Sequence, residues 1–184
     1  MKFRLISRVL GIGLIAFSFL QLTPIIVSII YNEDNITAFA YSFLITLAFG
    51  SFLYLVNFEK KYEGIRVKEG FLLTVLLWLF FTIFATLPLM LGSQGNLSIV
   101  SAYFEATSGL TTTGATIFSD LSGEYYSILF YRGLLQWIGG LGIIVLAIAL
   151  MPLLGVGGMQ LYRGETQGPI NQSKLRPKIA ETAM

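Results

Sequence analysis

Four long apolar stretches without a single charged side chain dominate this sequence. They are residues 9–31, 36–58, 70–92 and 133–162. A helix rises 1.5 Å per residue, so about 20 apolar residues cross the roughly 30 Å hydrocarbon core of a bilayer. Each stretch is long enough for that, and only 12% of the chain is charged, against about 25% in soluble domains. The sequence therefore predicts an all-α membrane protein with four transmembrane helices.

The basic residues fall on alternate sides of these stretches. The connections 31–35 and 93–124 contain acidic residues but no basic one. Basic residues mark the cytoplasmic side of a membrane protein, so both termini are predicted to be cytoplasmic and the number of crossings to be even. Eleven of the twelve Lys and Arg residues carry this pattern: Lys2, Arg4, Arg8, Lys60, Lys61, Arg66, Lys68, Arg163, Lys174, Arg176 and Lys178.

A shorter apolar segment, residues 99–110, precedes a Thr-rich loop between the third and fourth stretches. A fifth crossing there would reverse the side of the basic tail. A helix of this length spans about 18 Å, roughly half of the bilayer core. We therefore predict a re-entrant element, in which a short helix enters from the outer face and an extended strand leads back. Irregular backbone at that depth must be buried in protein or line a watery cavity, which indicates a pore or a binding site.

The loop itself reads TTTGAT over residues 111–116. Its β-branched threonines favour extended backbone, while Gly114 permits angles that other residues resist. Such a strand can turn carbonyl oxygens towards an axis, and rings of carbonyls replace the hydration shell of K⁺ in potassium filters. The partly negative end of the preceding helix favours a cation at the same place. The alternative is a buried Thr-rich turn that only packs.

Composition excludes several other kinds of chemistry. The chain has no cysteine and no histidine, which removes disulfide frameworks, thiolate nucleophiles, histidine triads and nearly every transition-metal site. A formal net charge of +2 is too small to indicate nucleic-acid binding. The outer connections offer too few acids for an acid/base pair. The sequence thus predicts no catalytic residues, and no enzyme.

Two charged residues accompany the loop. Glu105, the only acid in the short segment, either biases an outer vestibule towards cations or hydrogen-bonds a neighbouring loop. Arg132 is the one basic residue outside the cytoplasmic clusters, and it lies where the fourth helix is predicted to enter the membrane. It has a functional role, snorkels to the interface, or pairs with Glu105 or Glu124.

Asp120 and Glu124 are predicted to cap the loop. The glycines in WIGGLG, residues 137–142, favour close helix packing, with bending as the alternative.

Four stretches of the sequence resemble one family: FEATSGLTTTGAT (104–116), FYRGLLQWIGGLGIIVLAIALMPLLGVGGMQLYRGE (130–165), RPKIAETA (176–183) and KFRLISRVLG (2–11). They are similar to roughly the first third of the Trk-type potassium uptake proteins, the TrkH membrane subunits of a superfamily of K⁺ transporters. In that family two leading helices precede four non-identical helix–pore loop–helix repeats within one polypeptide. The four loops surround one ion path.

The resemblance implies three parts: two leading transmembrane helices with a cytoplasmic loop (1–69), the first helix–pore loop–helix repeat (70–162), and a cytoplasmic basic tail (163–184). It implies that main-chain oxygens, chiefly those of Thr112 and Thr113, contact K⁺. One glycine stands where potassium channels have two, which implies a less rigid and less discriminating filter. The filter residues carried over from the family are Thr111, Thr112, Thr113 and Gly114.

The resemblance further implies potassium transport across the bacterial inner membrane, with no cofactor beyond the transported K⁺. The implied partners are membrane lipid, the remaining pore repeats or further subunits, and a peripheral nucleotide-binding regulatory protein of the TrkA type. Only one of four loops is present, so we expect a truncated or split reading frame, with assembly as an oligomer as the alternative. A non-transporting scaffold or assembly subunit, or an inactive truncated remnant, is the competing function.

Overall fold

The computed structural model describes residues 3–56, 67–95 and 97–150, and every regular element within these ranges is a helix. Four helical stretches there are long and apolar enough to cross a membrane: Phe3–Ile30, Ile36–Val56, Glu69–Gly92 and Tyr126–Ile144. The predicted all-α membrane fold with four spans is confirmed. The side-chain contacts below belong to the compact unit Met1–Leu146. The six helices are α1 (Phe3–Leu20), α2 (Thr23–Ile30), α3 (Ile36–Val56), α4 (Val67–Gly92), α5 (Ile99–Leu110) and α6 (Tyr126–Leu150).

Two helices begin earlier than the charge-free stretches suggested. α4 begins at Val67 rather than Gly70, and α6 begins at Tyr126 rather than Gly133. Arg132 therefore lies inside α6 and not at its start, because its charge is paired within the fold. The remainder of the fourth predicted stretch (151–162), the basic tail (163–184) and most of the loop between the second and third stretches lie outside the described residues.

The first span is interrupted where α1 gives way to α2. Pro24 occupies the first turn of α2, where its missing N–H costs no helical hydrogen bond. The chain before it tightens, since the Gln21 N–H donates to the Ser18 carbonyl at 3.0 Å and the Leu22 N–H to the Phe19 carbonyl at 3.2 Å. The interruption of the first span thus lies at Gln21 and Leu22, just ahead of Pro24.

α1 and α3 pack together through glycines. A methyl group on Gly11 would lie 2.7 Å from the Gly50 carbonyl oxygen, and one on Gly50 would lie 3.0 Å from the Ile15 nitrogen. Small residues allow this close approach of backbones, on which helix association in lipid depends. Around that contact the apolar core continues into α4, α5 and α6, with fully buried Leu14, Phe17, Phe39, Ala85, Leu89, Ala102, Ala106, Ile128 and Leu135.

A buried polar cluster supports the proline inside α4. Pro88 has no N–H, so the carbonyl of Phe84, four residues earlier, loses its helical donor. The Gln21 side-chain amide donates to that oxygen at 3.1 Å, and the Tyr131 hydroxyl donates to the neighbouring Ala85 carbonyl at 3.3 Å. A free carbonyl would be costly in an apolar interior. The break after α1 therefore places a donor where α4 needs one.

The connections without basic residues meet at one end of the helices. The Glu33 carboxylate, between α2 and α3, accepts from the backbone N–H groups of Tyr126 at 2.6 Å and Ser127 at 3.1 Å. These are the first two N–H groups of α6, which have no partner inside the helix. Asn35 donates to the Gly92 carbonyl at 3.3 Å and to the Ser127 hydroxyl at 2.8 Å. The leading helices thereby fix the end of α4 and the start of α6.

Candidate functional site

The short helix of the predicted re-entrant element is α5, with the bounds expected from the sequence. Ser98 precedes it in an extended conformation, and its hydroxyl accepts a hydrogen bond from the Ser101 N–H at 3.2 Å. This is the N-cap that serine provides for the unpaired donors of a first turn. The helix has 12 residues and ends where the Thr-rich loop begins.

The end of α5 is closed by two backbone hydrogen bonds. The Thr113 N–H donates to the Ser108 carbonyl and the Thr112 N–H to the Gly109 carbonyl, each at 3.0 Å. This is the Schellman pattern, which requires a left-handed residue just past the helix. Thr112 fills that position with φ +56°. A β-branched residue seldom adopts such an angle, and backbone strain of this kind costs about 1–3 kcal/mol.

The strand that follows is not uniformly extended, contrary to the expectation from its β-branched residues. The backbone turns left-handed at Thr112 and again at Gly114, where φ is +77°, whereas Thr111 has φ −79°. The Thr112 turn follows from the hydrogen bonds that close α5, which override local preference. The second turn falls on the one residue without a Cβ. The strip therefore bends at every second residue.

The carbonyls of this strip have no hydrogen-bond donors among the described residues. In the ranges that the structure describes, no N–H or O–H group donates to a main-chain oxygen of residues 111–114. The next carbonyl, that of Ala115, accepts from the Ser108 hydroxyl at 2.6 Å. The side chains of Thr111 and Thr113 are occupied with each other, their hydroxyl oxygens 2.7 Å apart. The open groups are therefore main-chain oxygens, on exposed residues.

Glu105 fastens the returning strand to α5. Its carboxylate accepts from the Thr116 hydroxyl at 2.8 Å and from the Ile117 N–H at 3.1 Å. Arg132 of α6 forms an ion pair with the same carboxylate, with 2.6 Å between Arg132 Nη2 and Glu105 Oε1. The Arg132 guanidinium also lies over the Phe118 ring, 5.2 Å from its centroid. Of the alternatives for Arg132, the structure contains the pair with Glu105.

α5 and α6 run side by side from the same end. A methyl group on Gly109 would lie 3.1 Å from the Leu135 Cβ, and one on Gly139 would lie 2.7 Å from the Leu110 carbonyl carbon. Gly139 is about 20 Å along α6 from Tyr126 at 1.5 Å per residue. The tip of the loop therefore contacts α6 far from the point where α6 begins.

The segment returns to the end from which it departs. Glu124, just before α6, accepts from the Ser93 hydroxyl at 2.5 Å and from the Gln94 N–H at 2.9 Å, just after α4. Asp120 accepts from the Ser122 N–H at 2.9 Å. That bond and one from the Ser122 hydroxyl lower the pKa of Asp120 below its ordinary value. The chain between α4 and α6 thus forms a closed loop with its tip at residues 110–112.

Sequence reasoning did not identify several residues that build this site. A shallow cavity of about 340 Å³ lies between the two limbs of the loop, with Gln94 and Phe118 in its wall.

Ser108 and Glu33 hold backbone groups that are distant in sequence, so no local pattern indicates them. In the described residues no three His, Cys, Asp or Glu side chains come together as a metal site would require. The geometry instead offers main-chain oxygens.

Comparison with known proteins identifies similar chains. The family model for TrkH, described as a cation transport protein, matches residues 35–184. The Trk system potassium uptake protein TrkH of Escherichia coli (strain K12) is 48% identical over 183 residues, which are 100% of this chain and 38% of that protein. TrkG of the same strain is 38% identical over 180 residues, or 98% of this chain and 37% of that protein.

A solved structure is also similar. The crystal structure of the potassium transporter TrkH from Vibrio parahaemolyticus superposes with a TM-score of 0.80 at 38% identity, covering 100% of this chain and 36% of that one. This chain thus spans little more than a third of the length of the relatives it matches. The likeness extends from its first helix to its last.

Proposed function

This chain belongs to the TrkH family of cation transport proteins, and on that premise we propose that it supplies part of a potassium pathway across the bacterial inner membrane. The proposed ligands are main-chain oxygens of Thr111, Thr112, Thr113 and Gly114, with those of Thr112 and Thr113 as the chief contacts to K⁺. The relatives are named potassium uptake proteins, and the proposal carries that role to this chain.

One observation carries the proposal: four successive carbonyls without a donor in the described parts of the chain. These carbonyls lie on exposed residues, and irregular backbone at membrane depth must be buried in protein or line a watery cavity, where open oxygens can bind a cation. The C-terminal end of α5 lies directly beside them, and its partial negative charge favours a cation. Carbonyl oxygens that replace a hydration shell are the means by which potassium filters bind K⁺.

The depth of the loop supports the same proposal. Its tip contacts α6 at Gly139, about 20 Å from the helix start, while both of its limbs begin at the end of α4 and α6. If that end faces outwards, as the positive-inside rule predicts, the open carbonyls lie within the bilayer. We propose accordingly that α5 is a re-entrant pore helix and that both termini are cytoplasmic.

The proposal also includes partners. The four carbonyls lie on exposed residues, and one strip is too small to surround an ion, so further strips from other repeats or subunits are needed. We propose that α4, α5 and α6 form one helix–pore loop–helix repeat of such a pathway. We also propose that a peripheral nucleotide-binding regulator of the TrkA type binds the assembly and that lipid contacts its outer faces. The proposed transport includes no catalytic step.

The test is potassium-limited growth of an uptake-deficient strain expressing the natural reading frame that carries this chain. Gly114→Ser puts a side chain at φ +77°, so we expect K⁺ uptake and K⁺/Na⁺ preference to fall by about tenfold, since strain of this kind costs about 1–3 kcal/mol. Gly123→Ser is the matched control, because a methyl group at Gly123 meets nothing within 4 Å. Unchanged ion preference in Gly114→Ser would refute the filter assignment. A wild-type frame that never restores growth would favour the scaffold or remnant.

A further inference from the structure

The Glu105 carboxylate is too enclosed to serve as an open vestibule charge. Its side chain is 1% exposed. One oxygen accepts from Thr116 and faces Arg132, and the other accepts from the Ile117 N–H. A carboxylate has only acceptor sites to offer, and here each oxygen already has a donor. A passing cation would have to displace those donors.

We infer that Glu105 and Arg132 are positioning residues for ion selectivity, an inference that rests on the proposed function. Glu105 holds Thr116 and Ile117, the two residues that follow the strip of open carbonyls and Ala115. The Ser108 hydroxyl holds Ala115 from the same helix face. The strip is thus tied at its near end by the closure of α5 and at its far end by Glu105. The distance between these ties sets how far the four carbonyls can move.

Arg132 makes this tie possible by pairing with the buried carboxylate. A buried carboxylate without a partner is strongly disfavoured, and the ion pair at 2.6 Å offsets that cost. The charge in turn strengthens the hydrogen bonds from Thr116 and Ile117, because charge-assisted bonds are stronger than neutral ones. Arg132 belongs to α6, so the same pair also fixes the far end of the strip relative to the helix beside it.

The pair of Glu105 and Arg132 has two conceivable roles, neutralising two buried charges or holding the strand, and replacing only one of the two residues would not distinguish them. If the pair only neutralises two buried charges, exchanging them should be harmless. If Glu105 holds the strand, the exchange fails, because an arginine at 105 donates hydrogen bonds and cannot accept them from Thr116 and Ile117. The charge-exchange variant Glu105→Arg/Arg132→Glu therefore has opposite expected outcomes under the two roles.

A milder variant avoids any loss of a buried charge. Thr116→Val removes, at an exposed position, the hydroxyl that donates to Glu105 and accepts from the Phe118 N–H at 3.2 Å, and it leaves the ion pair in place. Thr107→Val is its matched control, since the Thr107 hydroxyl donates to Tyr103 within α5 and does not touch the strand. One hydrogen bond to a charged group corresponds to roughly a tenfold change in an equilibrium. We expect K⁺/Na⁺ preference to fall by about that factor in Thr116→Val and to stay unchanged in Thr107→Val.

The experiment measures K⁺ uptake, its inhibition by Na⁺, and the amount of protein in the membrane for each variant of the natural reading frame. Loss of K⁺/Na⁺ preference in Thr116→Val, without rescue in the charge-exchange variant, supports the inference. Wild-type preference in Thr116→Val, or full preference in the charge-exchange variant, overturns it. If the charge-exchange protein does not accumulate, the comparison of Thr116→Val with Thr107→Val decides alone. A wild-type frame without K⁺ uptake refutes the proposed function, whereas K⁺ uptake with unaltered preference in Thr116→Val refutes only this inference.

Discussion

Adding one methyl group at Gly139 tests whether the contact between α5 and α6 sets the position of the loop. In Gly139→Ala the new Cβ would clash with the Leu110 carbonyl oxygen and lie 2.7 Å from the carbonyl carbon, whereas an ordinary contact begins near 3.4 Å. The helices must therefore separate by more than about 0.7 Å, because the opposing atoms are backbone and have no other rotamer. The next residue after Leu110 begins the strip of open carbonyls, so that strip moves with it.

The magnitude follows from known costs of overpacking. Forcing an extra methyl group into a close contact costs about 1–3 kcal/mol, which corresponds to about 5- to 150-fold in an equilibrium. We expect K⁺ uptake by Gly139→Ala to fall by about tenfold, with the protein still present in the membrane because alanine is the better helix former. Uptake of K⁺ or Rb⁺ at limiting concentration, divided by membrane protein, is the measurement.

The neighbouring glycine provides the control. A methyl group on Gly140 would lie 3.9 Å from the Thr112 methyl, an ordinary contact, and Gly140→Ala makes the same chemical change to the same helix. It should transport like wild type. The reasoning is refuted if Gly139→Ala and Gly140→Ala show equal uptake, since the close approach at Leu110 would then have no consequence for the pathway.

Two further predictions concern stability. Gln21→Leu leaves the Phe84 carbonyl without a donor and should lower the free energy of unfolding in detergent by about 1–3 kcal/mol. Adding Pro88→Ala restores a helical N–H four residues after Phe84, so the double mutant should recover part of that loss. Additive effects of the two substitutions would contradict this account. Glu33→Ala removes the acceptor for the first N–H groups of α6 and should lower the free energy of unfolding by about 1 kcal/mol. Amide hydrogen exchange should become faster only in the residues just after Tyr126. An equal increase in exchange along the whole of α6 would contradict the capping role.

The sequence predicts the spans because charge and length suffice to define them. The stretches 36–58 and 70–92 contain α3 and most of α4, since a helix in lipid needs little more than apolar side chains for its whole length. The bounds of α5 follow from the same argument, because they are those of the apolar segment 99–110 that ends at the Thr-rich loop. Local composition carries that information directly.

The errors arise where distant residues decide the outcome. The start of α6 was placed too late because Arg132 ended the apolar stretch, and its partner Glu105 belongs to another helix. The left-handed Thr112 was not predicted, because β-branched residues favour extended backbone and only the hydrogen bonds that close α5 reverse that preference. Glu33 meets Tyr126 across 93 positions. Such pairs depend on how helices assemble, which a single sequence does not display.

The first half of α6 is held by contacts at three positions along its axis, and this restricts how the helix can move. Glu33 binds its first N–H groups, Glu105 binds Arg132 about two turns further on, and Leu110 abuts Gly139 about two turns beyond that. These contacts come from two separate parts of the chain, the connection before α3 and the helix α5, so the first half of α6 is fixed along its length. A bend that preserves all three contacts has its pivot beyond Gly139.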